Sequence, residues 1–350
     1  MKNVRSEGID RLKGFAILLV IAGHCIQYSN GLSYFNREGF FDNRAYQMIY
    51  GFHMPLFMTI SGYLFSKTIA SRSIASVLWT RVRSLLVPVM LWGMIIYLLE
   101  RKLLNHDKIP SDPVRLLKDY ITTCAYSLWF LWAVFYCSIV AALVNKFLKN
   151  SWLAYLGICA LLFFVPDEYN AYVYKFMFPY FVLPVVFRKS DLGKQLANAT
   201  SRKKIVALVV GATAYGIAMI FWRKDLYIYT THFTLLGRNW PLQTKIDLMR
   251  WATGFFGVVT ALAAGSLVES RRSHSDGDSW LAILGRQSLG LYIVSGLIFS
   301  YVVLRAFASS SFSWIATLGV LIAVTASSLG ITVVIQRFRP LNMLLLGGRK

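Results

Sequence analysis

Lys13 stands at the head of an apolar run, and eleven residues further on that run contains His24. An imidazole titrates near neutrality and can carry a proton or take an acyl group. A lysine is a compact fixed cation suited to an anion. Eleven helical residues rise roughly 16 Å and return to nearly the same face after about three turns. If Lys13 marks the cytoplasmic edge of a bilayer, His24 lies near the midplane of hydrocarbon about 30 Å thick. A cation at the mouth of a groove and an imidazole deep within it suit an anionic donor whose reactive end reaches inward. A hydrogen bond from His24 to a neighbouring helix explains the residue equally well.

Other groups call for a reason, because an ionisable side chain inside a span costs about 2.5–3.5 kcal/mol on insertion scales. His53 stands beside Met54 and Pro55, where it can structure a break in the helix. Lys175, Arg250 and Arg286 sit in or at the edges of later apolar segments. Arg81-Val82-Arg83 precedes another. Two guanidinium groups there can clamp phosphates bidentately, or can simply anchor the cytoplasmic end of a span.

The elements that must position these groups are membrane helices. Of 350 residues, 56% are hydrophobic and 15% charged, against about 45–50% and about 25% in soluble domains. Ten apolar windows fall near 14–30, 46–66, 84–99, 128–148, 152–166, 170–187, 204–222, 248–268, 281–304 and 313–335. They fill the chain, so residues 1–350 read as one membrane domain, an all-α polytopic bundle. The run from Gly14 follows a basic stretch but lacks a small-residue cleavage site, and reads as the first span.

The net charge of +21 sorts with this count. With one crossing per window, the segments sharing a side with the N-terminus hold most of the Lys and Arg, including Arg11, Lys13, Arg81, Arg83, Lys203, Lys204, Arg271 and Arg337. The opposite segments carry acids such as Glu38, Asp42, Asp112, Asp119, Asp167 and Asp225 that nearly balance their bases. The positive-inside rule then puts both termini in the cytoplasm. It also accounts for the basic excess through lipid, so no nucleic-acid partner is expected.

Cys25, Cys124, Cys137 and Cys159 form no CxxC pair, and no metal site is expected. Three outer loops, 31–45, 100–127 and 223–247, are long enough to carry function. The last holds Tyr227, Tyr229, Thr230, Thr231, His232, Asn239 and Trp240, which suit either sugar stacking or an interfacial aromatic belt. No Walker motif or G-x-S-x-G elbow is present. A glycan or lipid exporter is the alternative class. It would bring inverted repeats and a midplane carboxylate, and no window holds a central Asp or Glu.

Five segments in order resemble the membrane-bound acyltransferase family 3. They are Ile9–Val20 leading to His24; Phe52-His53-Met54-Pro55-Leu56-Phe57 with Ser61-Gly62; Arg81-Val82-Arg83 with Pro88; Leu128-Trp129-Phe130-Leu131-Trp132; and Leu284-Gly285-Arg286-Gln287-Ser288-Leu289-Gly290-Leu291-Tyr292. Lys13 occupies a position where the family usually has arginine, and Ser295 one where it often has histidine. The resemblance implies an O-acyltransferase of cell-surface glycans, of the short stand-alone form found in exopolysaccharide, capsule and O-antigen pathways. It also implies the inner (plasma) membrane as location, without an appended periplasmic esterase-like domain. Acetyl-CoA is the implied co-substrate, with no permanently bound cofactor; succinyl-CoA is the alternative donor. The acceptor is a glycan, free or lipid-linked, and membrane lipid surrounds the protein. His24 becomes general base or acyl carrier, and Lys13, on the same helix, the second catalytic residue. Arg81, Arg83 and Lys13 become donor-binding residues. Ser61, Gly62, His53, Trp129, Ser288 and Tyr292 become substrate contacts or structural support.

Overall fold

The computed structural model describes residues 7–71, 73–101, 112–188, 190, 198–233, 235, 239–271 and 279–348. Parts of the loops expected at 100–127 and 223–247 lie outside them, as do Lys2, Arg5, Arg72, Asp107, Lys189, Lys194, Arg272, Arg349 and Lys350 from the charge pattern. Every regular element among the described residues is helical. The main ones are α1 (Glu7–Tyr28), α2 (Arg44–Tyr50), α3 (His53–Ile69), α4 (Ile74–Leu99), α5 (Pro113–Tyr126), α6 (Trp129–Phe147) and α7 (Trp152–Leu162). They continue with α8 (Ala171–Phe187), α9 (Ser201–Ile220), α10 (Trp240–Arg271), α11 (Trp280–Arg286), α12 (Ser288–Ala306), α13 (Trp314–Arg337) and α14 (Arg339–Leu345). Six of them, α4, α6, α9, α10, α12 and α13, are long and apolar enough to cross a membrane.

The chain forms two compact units that interleave in sequence. The first comprises 1–61, 187–231 and 238–333. At its heart α1 packs on α11 and α12. Glycine makes this possible. A Cβ on Gly14 would lie 1.9 Å from the Leu281 carbonyl oxygen, and one on Gly285 would lie 1.7 Å from that of Asp10. The two backbones touch, a contact that only a missing side chain permits and that membrane helices use to associate. Beside this pair α9 runs along α10. A cluster of rings fills the space above, with Phe41 and Tyr227 centroids 4.5 Å apart and Tyr46 stacked on Tyr50 at 3.9 Å.

The second unit comprises 62–186, 232–237 and 334–350. Here α3 meets α8 through Gly62, whose Cβ would fall 1.9 Å from the Phe181 carbonyl oxygen. Of the Ser61-Gly62 pair, it is Gly62 that makes this close approach. C-terminal α14 returns to α4, where the Trp92 indole donates to the Leu345 carbonyl at 2.8 Å.

Several expected windows take a different form. The run 46–66 breaks at Gly51-Phe52 into α2 and α3, and the run 281–304 breaks at Gln287 into α11 and α12. The fifth window yields only the eleven residues of α7. Segment 100–127, expected as a loop, contains α5. Asp112 caps it by accepting from the Val114 and Arg115 N–H groups at 3.1 and 3.3 Å, and Pro113 fills the first turn. This helix folds back on α4: Tyr120 donates to the Met90 carbonyl at 3.0 Å and Arg101 pairs with Asp119. Its buried residue Cys124 fills the notch at Gly93.

Candidate functional site

In the first unit α1 is unbroken from Glu7 to Tyr28, so Lys13 and His24 share one continuous helix, as their spacing predicts. Lys13 is half-buried, with Nζ 3.9 Å from the carboxylate of buried Asp10. Its neighbour Arg11 pairs with Glu7 and with Glu269 of α10. Two acids therefore already engage the arginine that stands out of register with His24.

The His24 ring is walled by aromatics. Tyr28, one turn on, lies 5.8 Å away between centroids, and Phe299 lies 5.6 Å away. Tyr28 and Phe299 are themselves stacked at 5.8 Å. The polar neighbour of the ring is Gln27, also in α1. Nδ1 is sealed from solvent without a hydrogen-bond partner. A buried nitrogen left unsatisfied costs free energy and calls for a ligand, water or a chemical role. Opposite it, α12 passes through a π-helical turn over Phe299–Val303. Such turns recur where a helix must present an atom out of its regular register.

His53 does something else. Its Nδ1 lies 2.8 Å from the Ile49 carbonyl, and its ring sits edge-on to Tyr50 at 4.8 Å. It bridges the break between α2 and α3. Arg250 is buried too: it pairs with Asp247 at 2.7 Å and donates to the Leu226 carbonyl at 2.9 Å and Thr231 Oγ1 at 2.7 Å. It ties segment 225–231 onto α10. Tyr227 from that segment neither faces solvent nor forms a belt. It is packed among Phe41, Tyr46 and Trp222, because the segment folds back into the unit. Ser288 opens α12 in a mostly buried position. Tyr292 is half-buried one turn on, its carbonyl accepting from Ser295 Oγ at 3.4 Å. Arg286 closes α11, where a cation faces the carbonyl end of the helix.

In the second unit Arg81 and Arg83 flank the entry to another π-helical turn, Val82–Leu86, within α4. Pro88 follows and has no N–H to give the Ser84 carbonyl, which relaxes the regular ladder. The Arg81 guanidinium lies 5.2 Å from the Phe65 ring centroid. Arg83 Nη2 is buried without a hydrogen-bond partner. A guanidinium nitrogen in that state suits an anion that supplies the missing acceptor. Gly347, with φ +61°, brings the C-terminal segment against Ser84. Trp129 starts α6 after Leu128 adopts left-handed backbone, and Trp132 donates to the Cys124 carbonyl at 2.9 Å.

Sequence spacing singled out Lys13, His24, Arg81 and Arg83 as candidates. It missed Tyr28 and Phe299. Tyr28 had a signal, four residues after His24 on the same face; Phe299 arrives from another helix and had none.

No solved structure matches the chain. Two curated relatives do. One, "Nodulation protein NolL" of Mesorhizobium japonicum, is 29% identical over 342 residues, covering 93% of this chain and 87% of the relative. The other, of the same name from Sinorhizobium fredii, is 28% identical over 301 residues, covering 85% and 79%. Residues 6–337 match the family described as "Acyltransferase domain". The unbroken α1 that carries Lys13 and His24 and is sealed by glycine against α11 thus stands in a chain that belongs to the acyltransferase domain family of membrane proteins.

Proposed function

We propose that the protein moves an acetyl group from acetyl-CoA to a hydroxyl of a cell-surface glycan or its lipid-linked precursor, with His24 as the proton-transferring group. The observation that carries this reading is the sealed, unpartnered Nδ1 of His24, three turns along one helix from Lys13 and walled by Tyr28 and Phe299. A neutral imidazole there can take the proton from an attacking sugar hydroxyl as its oxygen forms the new ester bond. The thioester C–S bond then breaks, and the proton leaves on the coenzyme thiol. A route in which the imidazole first takes the acyl group itself uses the same nitrogen.

In this reading the anionic donor enters from the cytoplasm. Arg81 and Arg83, in the cytoplasmic half of α4, meet its phosphates, and Lys13 lies in the cytoplasmic half of α1. Tyr292 and Ser61 are the further candidates for contact with a reacting oxygen. The chain crosses the inner membrane ten times, as one acyltransferase domain with both termini cytoplasmic. The charge pattern supports that count together with the six long apolar helices.

The test is transfer of label from acetyl-CoA to glycan in isolated membranes, with succinyl-CoA in parallel and mass spectrometry of the product. Acetylated glycan is expected. A succinylated product would replace the donor, and no acylated product with either donor would leave the exporter as the better reading.

A further inference from the structure

The buried cation in α8 is explained by the turn it holds. Lys175 pairs with Asp167, donates to the Val165 carbonyl at 2.7 Å and lies 5.6 Å from the Phe233 ring centroid. Asp167 accepts the Phe233 N–H at 2.9 Å. Within the turn so pinned, Tyr169 has φ 50° and ψ 43°, and Asn170 has φ 62°. A bulky L-residue in left-handed backbone persists only where its surroundings over-determine it, and such strain clusters at binding sites.

The strained turn stands at the rim of a cavity of about 300 Å³ between α6, α7 and α8. That is the lower end of small-ligand pocket volumes. The cavity is graded in polarity. Its floor is apolar, with Cys137, Val140 and Phe178, while its rim carries Tyr136, Tyr174, Tyr169 and the carboxylate of Glu168; Lys175, paired with Asp167, also lines it. Tyr136 and Tyr169 are exposed, and the Tyr136 ring lies 5.3 Å from that of Tyr174. On the ten-span topology the floor residue Val140 lies eleven residues, roughly 16 Å, below the start of α6, well into hydrocarbon. Glu168 and Tyr169 sit in the outer connection.

We propose that this cavity binds an amphiphilic saccharide, with the sugar on the tyrosine rim and an alkyl chain in the apolar floor. Ring faces stack on the apolar faces of a sugar while hydroxyls and a carboxylate take its hydroxyl hydrogens. An ordinary membrane lipid has no use for a strained tyrosine rim with a carboxylate. The proposal rests on the acyl-transfer reading for its meaning, since such a ligand is the acceptor class, and its test does not depend on catalysis.

Protein in phosphatidylcholine nanodiscs is photolabelled with an octyl glucoside carrying a diazirine in its alkyl chain, below the micellar concentration, and adducts are mapped by mass spectrometry. Labelling is expected in 136–140, 158–162 and 171–178. Unlabelled octyl glucoside should compete and 1-octanol should not. Tyr169→Ala should weaken apparent binding about two- to tenfold, the worth of one aromatic contact. Glu168→Gln, which leaves every ring in place, should weaken it in the same direction. Adducts spread over all lipid-facing helices, equal competition by 1-octanol, or unchanged binding in both Tyr169→Ala and Glu168→Gln would overturn the proposal. Loss of the site with acyl transfer intact condemns the cavity alone; a competable site in a protein that transfers no acyl group condemns the acyl-transfer reading alone.

Discussion

His24 and Arg83 share one property, a buried nitrogen without an acceptor or donor opposite it. Each is also next to a π-helical turn or within one. Their types and positions were readable in the sequence, because Lys13 fixes the helical face of His24 and Arg81 fixes the spacing of Arg83. Their lack of partners was not readable, since it depends on what the other helices bring. For Arg83 the consequence is measurable. A hydrogen bond from a charged group contributes about 1.5–3 kcal/mol, so Arg83→Ala should raise the apparent KM for acetyl-CoA about ten- to a hundredfold. The KM for acceptor should change far less. Equal change in both would remove the phosphate contact from the account. Lys175 and Asp167 make a different case, a buried ion pair anchored further by the Val165 carbonyl and the Phe233 N–H. Lys175→Met should destabilise the protein by about 3–5 kcal/mol by leaving Asp167 charged and buried, and Lys175→Met with Asp167→Asn should recover much of that. Thermal unfolding in detergent reads both; a double variant no more stable than the single one would contradict the pairing.

Helix contacts in this molecule are decided by glycine. Gly14 and Gly285 allow α1 and α11 to touch backbone to backbone, and Gly62 does the same for α3 and α8. Adding one methyl group at Gly14 places it against the Leu281 carbonyl, where neither side can give way. Gly14→Ala should cost about 1–3 kcal/mol or more, seen as lower thermal stability and lower yield of inserted protein. Wild-type stability would show that the helices can part at no cost. Such contacts explain what sequence periodicity could and could not show. Uniform apolar runs announce α6, α9 and α13 within a few residues, because length and composition suffice. The break at Gly51-Phe52 falls beside His53 and Pro55, which suggested it, whereas the break at Gln287 escaped, since it answers to tertiary packing. By contrast α5 was announced by Asp112-Pro113, a cap followed by a first-turn proline, inside a segment taken for a loop.

The distribution of charge over the full chain makes a prediction that no local contact makes. Reporter fusions after residue 350 and within 191–197 should lie in the cytoplasm, and insertions near 107 and 235 should lie outside. A C-terminus on the outer side would break the ten-span reading, which rests on basic residues sorted by side and on six helices of spanning length. In the proposed reading the bundle's part in the chemistry is to hold His24 in place on α1, between Tyr28 and Phe299. The decisive measurement compares wild type with His24→Ala and His24→Gln in membranes matched for inserted protein, following label from acetyl-CoA into glycan. Loss of a general base predicts a fall of about 10²–10⁴-fold in both variants; labelled glycan at wild-type level from either one would contradict the account.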